Sequence, residues 1–254
     1  MNFDEIIGHH LLDHRIAHLA TIGSLSLDLT KHVLMMWIVG AGSLIFFSWA
    51  ARSETGAGMV LRTALEAMVL FIRDEVLEPV LGHAGHRYLP YFLTLFFFIF
   101  LCNLAGIVPY GATATGNISV TAALALCTFG LIQFAGIREQ GLFSYIKHIV
   151  PSGLPVLVTL FLFPIEILGM FVKCIALCIR LFANMIAGHI VSIAFLSLIF
   201  IFAETSKGMA LAVAPLSVGL ALFVYCLDLL VALLQAYIFT MLTAVFVSAA
   251  VHPH

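Results

Sequence analysis

The stretch GLPVLVTLFLFPIEILGMFVKCIALCIRLFANMIAGHIVSIAFLSLIFIFA, residues 153–203, decides how the chain is read. Its only charged residues are Glu166, Lys173 and Arg180, and the segment Cys178-Ile-Arg-Leu-Phe-Ala-Asn-Met-Ile-Ala-Gly-His189 adds Asn184 and His189 to an otherwise apolar run. A charged side chain at the centre of a bilayer costs about 2.5–3.5 kcal/mol on insertion scales, so an intramembrane Arg180 marks a functional site. A second apolar run, 209–251, carries Asp228, Gln235 and Tyr237. The rest of the chain reads as a scaffold for these two runs.

Composition sets the class. The 254 residues are 63% hydrophobic and 9% charged, against about 25% charged in an average soluble domain. The strict alternation of a membrane β-barrel is absent, so the expected fold is an all-α integral membrane protein. A net charge of −2 argues against a nucleic-acid partner. All five cysteines (Cys102, Cys127, Cys174, Cys178 and Cys226) lie in apolar segments and read as small packing residues rather than metal ligands.

Outward from the two runs, residues 32–51, 91–108 and 117–137 are further apolar spans, giving five with 153–203 and 209–251 in a single transmembrane domain. Residues 1–31 are polar, and their acidic start lacks the basic region of a signal peptide. Their histidines His9, His10, His14 and His18 read as a solvated interfacial helix rather than a metal site. Residues 52–88 place Leu61, Leu65, Met68, Val69 and Ile72 between charges at nearly helical spacing. They predict one amphipathic interfacial helix, followed by a turn over 82–90.

Fifty helical residues span about 75 Å, far more than a hydrocarbon core of about 30 Å. Each long run is therefore a hairpin or one strongly tilted helix. Isolated Pro164, Gly169 and Gly188 favour the tilted helix. Six basic residues (Arg52, Arg62, Arg73, Arg87, Arg138, Lys147) fall on one side and three (Arg15, Lys31, Lys207) on the other. That bias puts the amphipathic helix and the C-terminus in the cytoplasm and the N-terminus outside.

At about 100° per residue, Glu166, Lys173, Arg180 and Asn184 fall within about 40° of one line along a helix, while His189 points the opposite way. Asp228 and Gln235, seven residues apart, share another face. A carboxylate and an imidazole suit proton transfer near neutral pH. An arginine holds its proton and acts as a fixed charge.

Arg180-Leu-Phe-Ala-Asn-Met-Ile-Ala-Gly-His189, followed by Leu234-Gln-Ala-Tyr-Ile-Phe-Thr-Met-Leu-Thr243, resembles subunit a of the F-type ATP synthase. Gly8-His-His, Asn103-Leu-Ala-Gly-Ile-Val-Pro109, Asn117-Ile-Ser-Val and Phe163-Pro-Ile-Glu-Ile167 extend the resemblance over nearly the whole chain. It implies the stator of a rotary membrane motor, set against a c-subunit ring and the b subunits of a peripheral stalk within the whole complex. It implies no cofactor and a bacterial inner membrane.

Residue by residue, Arg180 matches the arginine that faces each c-subunit carboxylate, with Asn184 and Gln235 beside it. His189 and Asp228 match the pair in the half-channel open to the outside. In some bacterial members the two residue types are swapped. Glu166 matches an acid beside the half-channel open to the cytoplasm. The chain departs from the family where Cys174 replaces a common proline after Lys173, and where Gly106 stands at a position that is acidic in some members. A self-contained transporter would carry paired broken helices in an internal repeat, and the sequence has no such repeat.

Overall fold

The computed structural model describes residues 15–22, 25–53, 56–82, 85–107, 114–148 and 156–251. Its membrane part is helical, with five helices long and apolar enough to cross a bilayer. The chain divides into two compact units. The first comprises Met1–Ser43, Phe98–Ile118 and Leu181–Gln235, and the second Leu44–Phe97, Ser119–Arg180 and Ala236–His254.

Ahead of the first span, β1 (Arg15–Ile22) pairs antiparallel with β2 (Leu25–Thr30), placing Ile22 opposite Leu25 and Arg15 opposite Thr30. His18 therefore lies in a strand, where the sequence suggested a helix. The missed signal is Leu25, Leu27 and Leu29 alternating with Ser26, Asp28 and Thr30, a period of two that gives a strand one apolar face and would scatter it around a helix. His9, His10 and His14 lie outside the described residues.

The first span is α1 (Lys31–Arg52), which presents Trp37, Leu44, Ile45 and Trp49 outward, as a lipid-facing helix does. The amphipathic stretch is α2 (Ala57–Phe71), a π-helical turn (Ile72–Leu77) and α3 (Glu78–Leu81). Gly82 ends it at φ +53°, a backbone conformation natural to glycine. The wider π turn buries Ile72, Val76 and Leu77 together while Asp74 and Glu75 stay exposed. Arg73 Nε donates to Asp74 Oδ1 at 2.5 Å, and this hydrogen bond holds the Asp74 carboxyl below its usual range.

α4 (Gly85–Ile107) begins inside the stretch expected to be a turn. Pro90 lies within its second turn, where the carbonyl it leaves unbonded belongs to exposed His86 at the wet end of the helix. A 3-10 turn (Ala114–Gly116) leads to α5 (Ile118–Gln140), and Gly141, at φ +80°, turns the chain into the short α6 (Leu142–His148). The two apolar runs are α7 (Val156–Thr205, 50 residues) and α8 (Lys207–Val251, 45 residues). Neither reverses: Pro164 and Pro215 lie within continuous helices, and α7 passes unbroken through Cys174.

The second unit packs around Ile72, Phe92, Phe96, Phe239, Ala244 and Val247. Thr240 and Thr243 return their hydroxyls to the helix carbonyls of Ala236 and Phe239, which lets polar residues sit in an apolar core. Ser248 Oγ donates to the Val80 carbonyl at 2.6 Å, and Gln140 Nε2 to the Ala250 carbonyl at 2.5 Å. In the first unit, Thr115 Oγ1 donates to Asn103 Oδ1 at 2.7 Å, both residues being fully buried.

Candidate functional site

The polar residues of α7 and α8 separate between the two units. Glu166, Lys173 and Arg180 belong to the second unit, whereas Asn184, His189, Asp228 and Gln235 belong to the first. The division falls between Arg180 and Leu181 on α7, and between Gln235 and Ala236 on α8.

In the first unit, Asp228 lies against the backbone of α7 at Gly188. A Cβ added there would collide with the carboxylate, standing 2.9 Å from its Cγ. Glycine is thus what lets an acidic side chain on α8 reach the α7 backbone. His189, the next residue, acts electrostatically on the same carboxylate, and both side chains are half-buried. The sequence treated His189 and Asp228 as neighbours through family likeness; the structure brings them together and adds Gly188 as the reason they fit.

The same unit holds four buried polar atoms that lack a hydrogen-bond partner within the described chain: Asn103 Nδ2, Ser192 Oγ, Ser217 Oγ and Gln235 Nε2. Buried polar atoms are paired in nine cases of ten or more, so each of these four is suited to binding a water. Ser192 and Ser217 escaped the sequence reading because isolated serines are ordinary in membrane helices.

In the second unit, Glu166 and Lys173 line a cavity of about 130 Å³ together with Gln133, Gln140, Tyr145 and Cys174. A water needs about 10–15 Å³ by this measure, so the cavity has room for several. Lys173 Nζ stands 5.5 Å from the centroid of the Phe246 ring, a cation–π arrangement that seats an ammonium beside an apolar wall. Gln133 and Tyr145 also escaped the sequence reading. One is a lone amide in a span, and the other lies in a short segment whose pattern gave no signal.

Arg180 is exposed on α7 and makes no ion pair among the described residues. Around it the outward line of α7 carries small side chains: Ala176, Ala183 and Ala187 are all exposed, and a Cβ at Gly169 would meet nothing within 4 Å. That glycine is not made necessary by packing within the chain.

The fold defines a multi-pass membrane protein with two long helices that carry charged and polar residues inside apolar runs. Residues 33–248 match the family model described as ATP synthase A chain. The chain is 43% identical over 258 residues to ATP synthase subunit a of Chloroherpeton thalassium, covering 96% of this chain and 75% of the relative. It is 44% identical to that of Pelodictyon phaeoclathratiforme (97% and 75% covered) and 46% identical to that of Myxococcus xanthus (90% and 75% covered). The chain belongs to the ATP synthase A chain family, the proton-channel stators of the Fo membrane motor. It works as a subunit of that enzyme and has no catalytic nucleotide site of its own.

Proposed function

We propose that Arg180 faces the carboxylates of a c-subunit ring, and that the two polar groupings serve as the two half-channels. The observation that carries this reading is an exposed arginine on an apolar helix, without an ion pair among the described residues and flanked by Ala176, Ala183 and Ala187. Small residues let another helix approach closely. A cation held in low dielectric draws a carboxylate on that helix. The arginine keeps its proton, so it can attract each passing carboxylate without carrying protons across.

On the outer side, Asp228 and His189 take up protons through the polar groups around Ser192, Ser217, Asn103 and Gln235. Asp228 can hand a proton to the rotor carboxylate, and the adjacent imidazole stabilises the carboxylate left behind. Asn184 and Gln235 orient groups near the arginine. On the inner side, Glu166 accepts and passes on the proton that the ring releases, with the Lys173 ammonium lining the same cavity. The six-to-three bias in basic residues supports a cytoplasmic C-terminus and an outer N-terminus. Relatives from bacteria support a bacterial inner membrane, with b subunits completing the stator.

A photocrosslinking residue at Ala183, in native membranes, tests the reading. Capture of the small c subunit, weakened when Ala187→Trp fills the surface one turn away, is the expected result. Capture of lipid alone would contradict it.

A further inference from the structure

The short helix α6 has a place in the second unit that the proton path does not yet use. Its two faces are unlike: Phe143 is 89% exposed and Leu142 52%, while Tyr145 is 9% exposed. An apolar outer face just beyond the end of a span fits a helix resting at the lipid surface. The inward face carries Tyr145 into the Glu166 cavity.

The tyrosine is seated at two points. Its ring covers Gly136, where an added Cβ would collide with the ring and stand 3.2 Å from the Ala250 carbonyl oxygen. Its hydroxyl donates to Gln133 Oε1 at 2.8 Å, and Gln133 Nε2 reaches Met170 Sδ at 3.6 Å. Burial pushes the Tyr145 phenol up from its ordinary value, so it stays protonated at physiological pH. It can anchor but does not carry a charge. Glu166 and Lys173 are the charged groups lining the cavity it enters. Gln140 and Ala250, where α5 and α8 end, line the same cavity, so the ring enters where the spans finish. Gly141, at φ +80°, is a single-residue joint between α5 and α6.

We propose that Tyr145 is a stopper: a positioning residue that closes the cytoplasmic outlet of the Glu166 cavity, and that α6 swings about Gly141 to open it. This rests on reading Glu166 as the cytoplasm-side acid. Proton release then requires the Tyr145–Gln133 bond to break before Glu166 meets bulk water.

Cys174 lines the cavity and Cys178 is buried beside Thr121, with Thr121 Oγ1 3.4 Å from its sulfur. Both fall on the tryptic fragment between Lys173 and Arg180, so one peptide carries a reporter and an internal control. The intact enzyme in inverted vesicles is treated with a membrane-impermeant cationic methanethiosulfonate, and modification is followed by mass spectrometry. Tyr145→Ala should raise the rate at Cys174 about ten-fold or more, and Tyr145→Phe, which keeps the ring and loses the anchor, several-fold. Cys178 should stay unmodified. Wild-type rates at Cys174 in both variants would overturn the stopper. Faster modification at Cys178 as well would show general loosening and would also overturn it. Failure of the stator reading shows separately, as ATP-driven pumping that survives Arg180→Ala, whatever Cys174 does.

Discussion

Gly188 shows how much depends on one missing side chain. The Asp228 carboxylate occupies the space where a Cβ would stand, so Gly188→Ala forces the acid away from α7 and from His189. Displacement by about an ångström can cost two orders of magnitude in a positioned reaction, so proton flux should fall about ten-fold or more, approaching that of Asp228→Asn. Flux through reconstituted enzyme measures this, and an undiminished rate would separate the carboxylate from the path. Arg180, His189, Asp228 and Glu166 were legible in the sequence because charge inside an apolar run is costly and therefore conspicuous. Gly188 was legible only as an isolated glycine that favours a tilted helix over a hairpin. Its role depends on a residue forty positions away, which helix periodicity cannot reveal.

Among the elements, the two long runs were readable from length and hydropathy; the absence of a polar turn favoured one tilted helix over a hairpin, and the structure shows continuous helices. The strands β1 and β2 were missed because the leucine alternation over 25–30 is short and lies in an otherwise polar, histidine-rich segment. The broken amphipathic stretch was missed because a π turn has no signature in residue type. The ties between elements differ in strength. Ser248 Oγ to the Val80 carbonyl, at 2.6 Å, is partly buried and joins α8 to α3. Arg87 to Glu139, at 3.4 Å, joins the exposed ends of α4 and α5. A sheltered hydrogen bond contributes about 0.5–1.5 kcal/mol and an exposed ion pair about 0–1 kcal/mol. Ser248→Ala should therefore lower the melting temperature of the detergent-solubilised enzyme more than Arg87→Ala does. The reverse order would mean that the surface pair carries the joint.

For the whole molecule, each of the two units holds polar groups of its own. One unit holds Asp228, His189 and four buried polar atoms without a partner among the described residues; the other holds Glu166, Lys173 and a cavity with room for water. Arg180 is the last residue of the second unit's stretch of α7. None of this was visible in the linear pattern, which put Glu166, Lys173, Arg180 and Asn184 on one continuous stripe. Helix angle alone does not tell which neighbours close around each part of a helix. In the proposed function a motor stator needs its two proton routes kept apart by a charge that does not titrate, and Arg180, exposed on α7, is proposed for that part. The most direct measurement is ATP-driven acidification of liposomes containing the purified enzyme, with wild-type Arg180 or Arg180→Ala. The account predicts an assembled mutant enzyme that pumps no protons. Pumping at the wild-type rate by the Arg180→Ala enzyme would contradict it.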